Sequence, residues 1–113
     1  MDNLLRLPDS RAKRRVVTFD RRELRQLLAL YSARVATGEW RDYAIDFRPG
    51  MALFSIFRHT AEQPLFAIAK AVGGGARTSP WTVYAGPRRL AQGDDLEAVL
   101  SIFDRRLRVL AGG

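Results

Sequence analysis

Apolar and polar positions alternate with a period of two through the middle of this chain. Tyr43, Ile45 and Phe47 alternate with Ala44, Asp46 and Arg48, the pattern of a half-buried strand, and Pro49-Gly50 punctuates the run before Met51 to Phe57 begins a second. After a polar break from His59 to Gln63, Pro64 opens a third strand in which Phe66, Ile68 and Lys70 alternate with Leu65, Ala67 and Ala69. Trp81, Val83 and Ala85 alternate with Thr82 and Tyr84 as a fourth, Gly86-Pro87 ends it, and Arg88 to Ala91 reads as a short fifth. Short links between successive strands make the sheet antiparallel. If the Pro49-Gly50 turn leaves Arg48 opposite Met51, then Tyr43, Ile45, Phe47, Ala52, Phe54 and Ile56 share the core face. A Pro-Gly pair favours a type II turn, whose twist suits a two-residue hairpin poorly. The alternative register, shifted by one, sends Leu53 and Phe57 inward and Phe54 and Ile56 outward.

Two stretches follow the helical period instead. Asp20 stands as an N-cap with Glu23 at the third helical position, and Phe19 and Leu24 stand where a hydrophobic staple requires them. Leu24, Leu27, Leu28, Tyr31 and Val35 then form one apolar stripe with Leu30 off it, and Gly38 is placed to end the helix in a left-handed cap. Val16, Val17 and Thr18 before it suggest a short edge strand. Near the other end, Asp94 and Glu97 read as a second capping box, followed by the stripe Leu96, Val99, Leu100, Phe103 and Leu107. Arg105, Arg106 and Arg108 suit the negative pole of that helix. The fold class expected is α+β: an antiparallel sheet of four to five strands with helices near 20–37 and 94–110 packed on one face. Residues 1–15 read as a flexible basic arm, 16–110 as one domain, and 111–113 as a frayed tail.

Composition places the chain among folded proteins. Its 113 residues suffice for one core, and 47% hydrophobic with 27% charged residues is ordinary for a globular domain. The absence of cysteine excludes a disulfide framework and thiolate metal sites. No apolar run after Met1 has the length of a signal peptide or a membrane span, which predicts a cytoplasmic protein with no membrane partner. The net charge of +7 comes from 17 arginines and two lysines against 12 acids, so an anionic partner is one expectation and a genomic preference for arginine is the other.

Candidate chemistry is sparse. His59 is the sole histidine and has no spaced carboxylate partner, so it reads as a polar turn residue rather than a ligand or general base. Asp42 and Asp46 share a strand face but lie about 13 Å apart at about 3.3 Å per residue, wide for a cooperating pair. They read better as partners of Arg41, Arg48 and Arg58. Gly73-Gly74-Gly75 with Arg77, Thr78 and Ser79 lacks the lysine and the helix start of a phosphate loop, and reads as a hairpin connection. The sheet aromatics lack the signature of an RNA-stacking platform, and core packing accounts for most of them.

What stands out is the second sheet face. Ala44, Asp46, Met51, Leu53, Ser55 and Phe57 make it more apolar than a solvated face should be, in either register. The expected function is a non-catalytic protein-interaction module, with Met51, Leu53, Phe57 and Tyr84 as the contact face and homodimerisation as one way of using it. The alternative is nucleic-acid binding through Arg11, Lys13, Arg14 and Arg15 of the arm together with surface arginines, and small-molecule binding or catalysis comes third. No cofactor is expected.

Four stretches carry a resemblance: Val17 to Leu24, Gly38 to Phe47 with its distinctive GEWRDYAIDF, Phe54 to Arg58, and Pro64 to Phe66. Over roughly residues 16 to 108 the chain resembles a family of small alphaproteobacterial proteins catalogued as a domain of unknown function. The resemblance implies a single bacterial domain. It implies no activity, substrate or catalytic residue.

Overall fold

A computed structural model describes residues 16–59, 63–71 and 79–112, with side chains from residue 105 onward outside the description. Helix α1 (Arg21–Ala36) leads into strands β1 (Asp42–Arg48), β2 (Met51–Phe57), β3 (Phe66–Ala71), β4 (Trp81–Ala85) and β5 (Arg88–Gly93), and α2 (Leu96–Gly112) follows. The strands form one antiparallel sheet in the order β1-β2-β3-β4-β5. The fold is α+β, with both helices on one face.

Local chemistry explains the elements. The Glu23 N–H donates to Asp20 Oδ1 and the Asp20 N–H to Glu23 Oε1, each at 2.8 Å, which closes the capping box and satisfies donors that the first helical turn cannot. At the far end Gly38 takes φ 82°, its N–H donates to Val35 O, and that of Glu39 donates to Arg34 O, both at 2.9 Å. This paired pattern is a Schellman cap. In the β1–β2 hairpin Arg48 faces Met51, Phe47 faces Ala52, Ile45 faces Phe54 and Tyr43 faces Ile56, the unshifted register. Gly50 has φ 74°, which with proline before it is the type II combination, and the register holds all the same.

The core lies between this sheet face and the helices. Ala52, Phe54, Ile56, Ile68 and Val83 from the sheet and Leu27 from α1 are wholly buried, joined by Trp40, Trp81, Leu96, Val99, Leu100 and Phe103. The Phe103 ring meets those of Trp40 and Phe66 edge-on at 5.4 and 5.0 Å, and the Tyr31 ring meets that of Tyr43 at 4.8 Å. Two polar contacts fix the helices. Lys70 Nζ, projecting from β3, donates to Glu23 Oε1 at 2.7 Å and to Thr18 O at 2.9 Å, and lies 5.7 Å from the centre of the Trp81 ring. The same carboxylate oxygen thus caps α1 and moors it to the sheet. Arg34 Nη2 meets Asp104 Oδ1 at 3.3 Å and ties α1 to α2.

Four expectations are corrected. Val35 is 40% exposed whereas Arg34 is buried, and Leu30 packs against the core, so α1 is turned from the stripe read in the sequence. Arginine buries its aliphatic stem and carries its charge out to Asp104, which a purely hydrophobic pattern does not register. Residues 16–20 form no strand; Val17 and Phe19 reach the core from an irregular segment, with Phe19 stacked on Trp81. The cap of α2 is Asp95, whose Oδ2 accepts from the Ala98 N–H at 3.0 Å, because Gly93 still belongs to β5 and Asp94 makes the bend. Finally Phe47, expected in the core, is 56% exposed. The truncation cost therefore belongs to Phe54. Phe54→Ala should lower stability by about 3–5 kcal/mol and Asp20→Ala by about 1 kcal/mol in denaturant unfolding, while Phe47→Ala should change it by less than about 1 kcal/mol.

Candidate interaction surface

The register places the outer face row by row. Ala44, Ser55, Ala67, Tyr84 and Arg89 lie across the sheet in one row, and Asp46, Leu53, Ala69, Thr82 and Gln92 in the next. Arg48, Met51 and Ala71 form a third row, and Phe57 stands beside Asp42 at the sheet's end. Met51, Leu53, Phe57 and Tyr84 therefore do share this face, with Tyr84 separated from β2 by the small Ala67. All four are half-buried. Ala69 and Thr82 at the centre are buried at 3% and 8% exposure, although among the described residues no helix crosses this face. Arg11, Lys13, Arg14 and Arg15 lie outside the described residues, as do Gly73 to Thr78, Glu62 and the side chain of Leu107.

A second surface was not anticipated. Every residue of β1 is exposed, and on the helix side of the sheet Tyr43, Ile45 and Phe47 stand in line at 38, 36 and 56% exposure. Alternation assigned them correctly to the core face, but α2 packs on β4 and β5, and α1 reaches β1 through the contact of Tyr31 with Tyr43 alone among the ring contacts. The signal was available: in a meander of neighbouring strands the first must be an edge.

The two edges differ. β5 carries Arg88 and Arg89, is kinked by a bulge opposite Val83 and Tyr84, and packs against α2, all devices that blunt an edge. β1 has no proline or bulge within it, and its charged residues, Asp42, Asp46 and Arg48, all lie on the outer side. The Asp46–Arg48 ion pair, 3.6 Å long and exposed at both ends, contributes little. Asp42 Oδ1 accepts the Tyr43 N–H at 2.8 Å, so this amide is not spent on β2.

Other candidate chemistry does not converge. His59 is exposed in the bend two residues past Phe57, at the end of the sheet where Asp42 stands, and Asp46 lies four residues further along β1. Among the described residues, the depression lined by Gln63, Pro64, Phe66, Ala67 and Gly86 holds no ionisable side chain. Among the described residues no group of three or more histidine or acidic side chains could hold a metal, and no helix is long and apolar enough to cross a membrane.

Over residues 17–100 the chain matches the family described as Protein of unknown function (DUF2794). It belongs to that family. The matched span takes in α1, all five strands and the start of α2, so both surfaces lie within the family's domain. No curated protein and no solved structure matches the chain.

Tyr31, packed on the Tyr43 ring at the rim of the β1 row, gives this region a pH signature. Burial first, then the neighbouring charge of Asp42 and the Tyr43 phenol, push its own phenol above the ordinary value. The folded state therefore holds this proton more tightly than the unfolded one. Its stabilising contribution is complete below the ordinary phenol value of about 10 and is lost as pH rises through the raised one. Denaturant unfolding above pH 10 should show that loss, and Tyr31→Phe should remove part of the alkaline sensitivity.

Proposed function

We propose that this protein is a non-catalytic interaction module that works through its β-sheet, with a second copy of the chain as its partner. The row Tyr43, Ile45 and Phe47, exposed beside a strand edge that no other described strand pairs, carries the reading. Large apolar side chains in line next to unpaired backbone groups favour pairing with another chain. The outer face with Met51, Leu53, Phe57 and Tyr84 is the second candidate contact. Its central Ala69 and Thr82 are already buried, which leaves less apolar area to gain there.

Nucleic-acid binding is the second reading, supported by the net charge of +7 and by Arg21, Arg22, Arg25, Arg88 and Arg89, all exposed. Affinity for duplex DNA would then fall by about 0.9 log units per log unit of salt for each phosphate neutralised, and the absence of binding near physiological salt would remove this reading.

Sedimentation of the full chain over a wide concentration range tests the interaction reading. The protein should pass from monomer to dimer as concentration rises, and either Phe47→Asp at the edge or Phe57→Asp on the outer face should abolish the shift while preserving the thermal midpoint. A chain that stays monomeric at the highest concentrations contradicts it.

A further inference from the structure

Strand β1 reads Asp42-Tyr43-Ala44-Ile45-Asp46-Phe47-Arg48. Turned end for end about Ile45, it meets itself with Asp42 opposite Arg48, Tyr43 opposite Phe47, Ala44 opposite Asp46 and Ile45 opposite Ile45. We propose that two copies of the chain join β1 to β1, antiparallel, about a two-fold axis through Ile45, so that two five-stranded sheets become one continuous sheet. This rests on the reading of the sheet as the contact surface and names the site and the register of that contact.

The backbone is phased for it. In a hairpin closed by a two-residue turn, the closing pair Arg48 and Met51 exchanges both hydrogen bonds, so Arg48, Asp46, Ala44 and Asp42 spend their N–H and C=O groups on β2. Phe47, Ile45 and Tyr43 direct theirs to the free edge. The Tyr43 N–H, held by the side chain of Asp42, agrees with that phase. Pairing about Ile45 sets outward-facing residues opposite outward-facing ones throughout.

Charge selects this register from its neighbours. Sliding one strand by two residues preserves the backbone phase but sets Asp42 opposite Asp46 in one direction and Asp46 opposite Asp46 in the other. Like charges directly opposite disfavour both. About Ile45 no like charges meet, and Asp42 gains Arg48 of the other copy at each end. On the helix side Tyr43, Ile45 and Phe47 of the two copies run together and cover one another, which removes from water the row that α1 and α2 leave uncovered. The β5 edge, with its bulge and paired arginines, offers no such match.

The chain contains no cysteine, so a single introduced thiol reports the contact cleanly. Ile45→Cys places the two sulfur-bearing residues opposite each other across the axis, with Cα atoms about 5.5 Å apart, inside the range of a disulfide. Under mild oxidation this full-length variant should form a covalent dimer at concentrations where the wild type sediments as a dimer, and Phe57→Cys should not. Independently, Asp42→Arg and Arg48→Asp should each weaken association about tenfold, and the double exchange should restore it. A wild type that dimerises while Ile45→Cys stays unlinked, or a double exchange that fails to restore pairing, overturns the β1 contact and leaves the sheet-contact reading standing. A covalent dimer through Phe57→Cys instead moves the contact to the outer face and also overturns it. A wild type that never dimerises overturns both.

Discussion

Width governs this fold: an α-helix with its side chains is about 10 Å across and strands lie about 4.8 Å apart, so two helices roof about four strands of five. Which strand is left out follows from where the helices are held. The segment after β5 turns at Asp94 and enters α2 through the Asp95 cap, which lays α2 on β4 and β5. The N-terminus of α1 is moored to the middle strand by Lys70, Glu23 and the carbonyl of Thr18. Arg34 and Asp104 hold the two helices together. With both roofing elements drawn toward β3, β4 and β5, the inner row of β1 is the one that stays open.

Glu23 shows how local and tertiary demands converge on one side chain. Its Oε1 receives the Asp20 N–H that the first helical turn leaves unpaired and also the Lys70 ammonium, and both partly buried charges are hydrogen-bonded. Removing either partner would leave the other in a half-apolar setting beside the Trp81 ring, where an unpaired charge is costly. The capping box is thus also the latch between helix and sheet.

Much of this is legible in the sequence, and the larger misses share a cause. Caps and turns depend on residues within four positions of each other, so Asp20 with Glu23, Gly38 and the turn at Pro49-Gly50 are legible directly, while the hairpin register stays open between two alternatives and the α2 cap falls one residue early, on Asp94 instead of Asp95. Alternation also divided the residues of β1 and β2 correctly between two faces. It carries no information on whether anything lies above a face, and so it predicts Phe47 as a core residue, where the structure leaves it 56% exposed. Stripe reading gave α1 the wrong rotation because Arg34 is buried through its stem and Val35 is not buried at all. The Lys70–Glu23 contact spans 47 residues, and neither side chain announces its partner. The candidate surface followed the same rule: Met51, Leu53, Phe57 and Tyr84 were placed on one face by period alone, whereas the exposure of β1 needed the helices' positions.

If a second copy closes the edge that β1 presents, amide hydrogen exchange resolved by residue shows it most directly. The amides of Ala44 and Asp46 face β2 and should be protected alike at all concentrations, whereas those of Ile45 and Phe47 should exchange fast in dilute solution and become protected as concentration rises. Fast exchange of Ile45 and Phe47 at every concentration would contradict the account.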